Sequence, residues 1–187
     1  GKVEITLDGD EEHPLLKKIV SDGTALVTGE KGQKLLCPGK VLFIPGQRRL
    51  EAKAYEGKEI AFEDRTGKFQ ADYARLQFAE PIAELKVDKA MLKGRVRLSG
   101  LVFLPESFSQ VALADEVRLD VPAKKAIFKS SEIQPVLYFD PQQNVQISAP
   151  KVVASLKEDG TVSAQGKGTV RFKFTGAELD LLRLPGK

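Results

Sequence analysis

The sequence predicts an all-β protein: an open twisted β-jellyroll of successive antiparallel hairpins, with at most short helices at the termini. Three observations predict it: period-two alternation along most of the chain, turn dipeptides at short intervals, and a weak internal repeat. Val96-Arg97-Leu98, Val117-Arg118-Leu119-Asp120-Val121, Val145-Gln146-Ile147 and Val170-Arg171-Phe172-Lys173-Phe174 alternate apolar with polar residues. Each such segment sets one face on a core and the other in water, as half-buried antiparallel strands do. Asp22-Gly23, Pro45-Gly46, Thr66-Gly67, Pro122-Ala123, Asp140-Pro141 and Asp159-Gly160 punctuate these runs with turn chemistry. A parallel sheet would need long helical crossovers, which the chain lacks.

Taken in order, residues 1–19 are expected to form an amino-terminal segment, an edge strand plus a short helix. The helical candidate is Asp10 to Val20, with Leu15, Leu16, Ile19 and Val20 on one side and Pro14 interrupting it. Residues 20–176 form the jellyroll, and residues 177–187 a carboxy-terminal tail with a second short helical candidate, Ala177 to Leu184. Within the jellyroll three segments share an opening Ala followed by Asp or Pro. They are Ala71-Asp72-Tyr73-Ala74-Arg75-Leu76-Gln77-Phe78, Ala114 to Val121, and Ala149-Pro150-Lys151-Val152 onward to Leu156. A looser copy runs from Cys37-Pro38 to Ile44 with one extra residue. The offsets of 43 and 35 residues are too irregular for a strict solenoid, so a roll of hairpins sharing one core is expected.

Composition narrows the function classes. With 42% hydrophobic residues in 187, the chain can bury a real core. The 29 basic and 26 acidic residues balance too closely for a nucleic-acid partner. No apolar run reaches the ~18 residues of a membrane span, which predicts a soluble chain. A leading Gly1 is compatible with an upstream signal or anchor missing from it. The single cysteine, Cys37, forms no internal disulfide and builds no thiolate metal cluster; Ala occupies its place in the other repeats, so it reads as a small buried residue.

A catalytic set has no foothold. His13 is the only histidine and sits in Asp10-Glu11-Glu12-His13-Pro14, an exposed terminal turn where a positioned base is not expected. The acids Asp8, Asp10, Glu11 and Glu12 lack the alternating ligands of a calcium loop. Gly29-Glu30-Lys31-Gly32-Gln33-Lys34 lacks the Gly-Lys-Ser/Thr ending of a phosphate loop and reads as a lysine-rich hairpin turn. A non-enzyme without cofactor or metal is expected. What remains is the apolar face: Ala74, Leu76 and Phe78; Val96 and Leu98; Val111 and Leu113; Val117, Leu119 and Val121; Phe172 and Phe174. A closed core and a ligand channel have the same binary pattern, so periodicity leaves both open.

The Ala-Asp strands, set beside Gly-x-Val strands such as Lys93-Gly94-Arg95-Val96-Arg97-Leu98, resemble the OstA-like family of periplasmic lipopolysaccharide-transport proteins, LptA and LptC. Ser21 to Thr28 leading into Lys34-Leu35-Leu36-Cys37, and Ser131 to Phe139, look like the same unit, so the resemblance spans residues 20 to 174. The resemblance implies a periplasmic carrier or bridge component, passing lipid toward the outer membrane with its acyl chains in an apolar groove between two sheets, lined by the face named above. It also implies edge-to-edge pairing with other β-jellyroll transport proteins or with itself. Basic residues at the rim, Arg75, Arg95, Arg97 and Arg118, become candidates for phosphate contact, with an ordinary exposed strand residue as the plain alternative at each. Two stretches depart from the pattern: Pro45 to Phe69, where the repeat spacing is stretched, and Leu101 to Phe108, apolar enough to cap one end of a groove. LptA-like and LptC-like roles differ in an amino-terminal signal or anchor outside this chain. The competing reading is a structural β-repeat scaffold that self-assembles through its sheet edges.

Overall fold

The computed structural model describes residues 1–8, 15–100 and 110–174. Fifteen strands occupy them: β1 Lys2–Asp8, β2 Leu15–Thr28, β3 Lys34–Ile44, β4 Arg49–Ala54, β5 Ile60–Glu63, β6 Lys68–Ala71, β7 Tyr73–Phe78, β8 Val87–Ser99, β9 Val111–Asp120, β10 Lys125–Lys129, β11 Val136–Asp140, β12 Val145–Ala149, β13 Lys151–Leu156, β14 Val162–Lys167 and β15 Arg171–Phe174. Among the described residues the only helical elements are 3-10 turns at Pro45–Gln47 and Ile82–Glu84. The expected all-β jellyroll of antiparallel hairpins is what forms.

Three long strands bend and belong to two sheets. The first halves of β3 and β9 pair with β5 and β11, and their second halves pair with β4 and β10. β8 does the reverse, pairing β7 up to Lys93 and β6 from Arg97. One layer therefore runs β1-β2-β3-β4-β7-β8-β9-β10-β13-β14, and a second runs through β5, β6, β11, β12 and β15. The core lies between them. Leu50, Ala74, Leu76, Leu92, Val117, Phe128 and Val152 of the first layer are buried together with Phe62, Phe69, Tyr138 and Ile147 of the second. Phe128 meets Tyr138 with ring centroids 5.7 Å apart in a tilted pair, the geometry ring quadrupoles favour.

The internal repeat marks the corners. Ala71-Asp72 joins β6 to β7, Ala149-Pro150 joins β12 to β13, Ala114-Asp115 lies at the bend of β9, and Cys37-Pro38 at the bend of β3. At each, a fully or nearly buried small side chain lets the two layers approach, and the next residue turns the chain. The inward direction rotates there, so alternation loses a beat. Ala71 and Ala74, Ala114 and Val117, and Ala149 and Val152 all point inward at a spacing of three instead of two. The return corner in β8 carries Gly94 and Arg95, both at positive φ (71° and 45°), with a register shift between Lys93 and Val96.

Several expectations are corrected. Leu15, Leu16, Ile19 and Val20 lie in β2, which runs unbroken past the expected boundary at residue 19; pairing along β1 and β3 overrides the weak helical spacing of four apolar residues. Pro45 to Phe69, read as a departure from the repeat, supplies β4, β5 and part of β6 as regular members of the two layers. Cys37 is buried, as its repeat position predicts, and burial pushes its thiol pKa up. Gly29 to Gln33 forms the β2–β3 hairpin turn, closed by the Gly29 N–H donating to the Gln33 carbonyl. His13, most of the acidic cluster, Leu101 to Phe108 and the Ala177 to Leu184 helical candidate lie outside the described residues.

Candidate functional site

The inner face of the two layers is the candidate site, and it is closed in its middle and uncovered at both ends. Ala74, Leu76, Phe78, Val96, Leu98, Val117 and Leu119 all point inward and are buried. Val121 lies just past β9 and is half-buried. Val111 and Leu113 point the other way, at 41% and 42% exposure, while their neighbours Ala112 and Ala114 are buried. Their expected inward direction is thus corrected. Carrying the phase of Val117 and Leu119 back through the corner at Asp115-Glu116 assigns them the wrong face, because that corner costs one beat.

Phe172 and Phe174 point inward yet remain 58% and 46% exposed. Phe172 sits opposite Ile147, itself opposite buried Tyr138, so all three share the inner face. Among the described residues no strand of the other layer packs extensively on β15. The far end of the molecule repeats the arrangement. Ile5 opposes Ile19, Ile19 opposes Phe43, and Phe43 opposes buried Leu50, so β1 continues the inner face. Val3, Ile5 and Leu7 are nevertheless 58–61% exposed, because among the described residues β1 packs extensively on β2 alone. Sequence reasoning missed these three, although Lys2-Val3-Glu4-Ile5-Thr6-Leu7-Asp8 alternates as strictly as any strand. The outer edges of β1, β14 and β15 have no strand partner among the described residues. Such unpaired N–H and C=O rows are templates for a further strand.

Near the uncovered β15 end the inner face also carries polar groups. Gln110, Tyr138 and Asp140 are buried on it. Asp140 accepts the N–H groups of Gln142 and Gln143 in the β11–β12 turn, whereas the Gln110 amide and the Tyr138 hydroxyl make no hydrogen bond. Burial first and Asp140 second push the Tyr138 pKa well above the ordinary tyrosine range.

The four arginines do not come together as a rim. Arg75 and Arg118 line one hollow of about 530 Å³ on the outer surface of the first layer, with Arg49, Lys89 and Lys125, over Met91 and Ile127. Arg75 is ion-paired to Glu51 at 3.0 Å and Arg118 to Glu116 at 2.8 Å. Arg97 lines a separate hollow on the outer surface of the second layer, beside Val111 and Leu113. Arg95 holds the β8 corner, its guanidinium donating to both Asp72 oxygens, with Nη2 at 2.7 Å and Nε at 3.2 and 3.3 Å. That bonding raises the Arg95 pKa further. The corner is tight: a Cβ on Gly94 would stand 2.4 Å from the Asp72 carboxylate. Strands alternate, so a residue beside an inward apolar one faces outward, which is where Arg75, Arg97 and Arg118 stand. Among the described residues no cluster of three or more His, Cys, Asp and Glu side chains is placed to hold a metal ion.

No family model matches the chain, and no curated protein matches it in sequence. A solved structure does match in fold. It is that of LptH from Pseudomonas aeruginosa, described as the LptA homologous periplasmic component of the conserved lipopolysaccharide transport device. The match has a TM-score of 0.56 and 8% sequence identity, and covers 79% of this chain and 97% of that one. The chain therefore has an LptA-like β-jellyroll fold.

Proposed function

We propose that this chain is a non-catalytic carrier or bridge component that takes the acyl chains of lipopolysaccharide, or of a similar amphiphile, against the inner face of its jellyroll. The observation that carries the reading is the uncovered inner face at each end. Val3, Ile5 and Leu7 at one end and Phe172 and Phe174 at the other stand in water on the surface that, between them, forms a closed core. Large exposed apolar groups in contiguous patches mark binding surfaces. Each methylene moved from water onto such a surface gains about 0.8 kcal/mol, so an acyl chain supplies ample driving force. The likeness to a periplasmic transport component supports a periplasmic setting and a partner of the same jellyroll type joined at a sheet edge. In this reading Ala74, Leu76, Phe78, Val96, Leu98, Val117, Leu119 and Val121 line the groove when the layers part, and Phe172 and Phe174 form its mouth.

A second reading, a scaffold that self-assembles through its edges, draws on the closed middle of the core and the edges of β1, β14 and β15 that are unpaired among the described residues. One experiment separates them. A fluorescent acyl probe is titrated with the full chain and displaced with lipopolysaccharide, while light scattering follows molar mass against concentration. Saturable binding reversed by lipopolysaccharide supports the carrier. Concentration-dependent growth without probe binding would favour the scaffold and defeat the carrier.

A further inference from the structure

We infer that the outer surface of β10, β13 and β14 docks on an anionic lipid bilayer. Register alone sets up the site. Lys129 pairs with Lys151, and Lys151 with Lys167, so three ammonium-bearing side chains stand directly opposite one another on adjacent strands. Paired residues on one face have Cβ atoms about 4.5–5.5 Å apart, and like charges so placed repel. Two carboxylates border the row: Glu132, whose Oε1 lies 3.5 Å from where a Cβ on Gly168 would stand, and Glu116. β10, β13 and β14 contain no Asp or Glu, and among the described residues none of the three lysines is in an ion pair. The carboxylate facing Lys129 across the ladder, Glu116, is held instead by Arg118 at 2.8 Å and Lys93 at 3.9 Å. Protection of a free edge explains a lysine on β14, the edge strand, but not those on β13 and β10 further in.

The pattern around the row selects the partner. The adjacent outward row carries the half-buried Ile127 and Val153 followed by Gln165, and the row beyond it carries Lys125 followed by Ser155 and Ser163. The surface thus sets one three-strand cationic row beside a row that is apolar on two strands, with a single further lysine on β10 beyond it, the strands being spaced about 4.8 Å apart. A lone phosphate reaches one or two of these lysines and leaves the apolar row in water. A bilayer containing acidic lipids meets the whole surface, with headgroup phosphates on the lysines and the acyl boundary near Ile127 and Val153. This docking is independent of what the inner face holds, since it uses the opposite side of the same strands.

The test uses the full chain in flotation with vesicles of phosphatidylcholine mixed with phosphatidylglycerol, and with vesicles of phosphatidylcholine alone. Binding is expected to the mixed vesicles only, and to fall as salt is raised. With about fivefold per lysine near an acidic surface, the K129Q/K151Q/K167Q variant is expected to bind roughly a hundredfold more weakly. The variant is expected to remain folded, with a melting temperature at or above that of the parent, because the change removes repulsion. A K34Q/K68Q/K86Q variant, with the same change in net charge at other surfaces, is expected to keep the parent's affinity. Equal loss in both variants would reduce the effect to net charge and overturn the assignment. Binding of soluble polyphosphate with no flotation, or binding of neither, overturns it as well.

Discussion

Replacing Phe172 and Phe174 together by Ser separates a ligand mouth from a core. Both side chains point inward, yet 58% and 46% of their surface remains in water. Full burial of a Phe side chain contributes about 1.5–3 kcal/mol, so covering the exposed half of each with an acyl chain contributes about 1–1.5 kcal/mol. The double variant should therefore bind lipid about 2–3 kcal/mol more weakly, roughly a hundredfold in Kd. Its cost to folding should be smaller, because among the described residues β15 pairs only with β12 and no strand of the other layer packs extensively on it. The assay is displacement of a fluorescent acyl probe, read beside urea unfolding of the same variant. An unchanged Kd in a folded variant would refute the placement of the mouth at this end. Loss of several kcal/mol of stability would instead show that the two rings belong to the closed core.

Four further outcomes follow from the same geometry. Leu76→Ala, at a position with no exposed surface, should cost about 2–5 kcal/mol in denaturant unfolding, as large-to-small core changes do. Val111→Thr with Leu113→Thr should change stability by no more than about 0.5 kcal/mol, because both face outward; a core-sized loss would restore the inward reading. Gly94→Ala, which puts a Cβ at φ +71° against the Asp72 carboxylate, should cost about 1–3 kcal/mol, measured by thermal melts. Tyr138→Phe removes a buried hydroxyl without a partner and should stabilise the chain by about 1 kcal/mol or leave it unchanged at neutral pH. The Tyr138 folded pKa lies above its unfolded value, so its contribution is whole below about pH 10 and is lost as pH climbs from there toward the folded value. The parent's unfolding midpoint should therefore drop through alkaline pH, and the Phe variant's should drop less. A residual slope is expected from Tyr55, whose pKa is also raised, first by its hydrogen bond to Asp22.

Much of this was legible before any coordinates. Alternation along the second halves of β8 and β9 and along β12 marked strands and antiparallel pairing, since a period of two admits no helix. The Ala-Asp and Ala-Pro repeats are visible in the sequence too, where they suggest hairpin units. Their role as corners depends on which strands meet across the bend, and that pairing is non-local. The same gap misplaced Val111 and Leu113. It also hid the lysine row, because Lys129, Lys151 and Lys167 are neighbours only through the ladders that join β10, β13 and β14.

The sequence by itself determined the class of fold, the buried small residue at Cys37 and the inward direction of Leu76, Leu98 and Val117, because each rests on local alternation or repeat position. Only the tertiary structure decided where that alternation slips, which inner faces stay uncovered and which like charges confront one another. Each of those depends on a strand partner tens of residues away, and hydrogen-bond register is a relation between segments, which no single segment encodes.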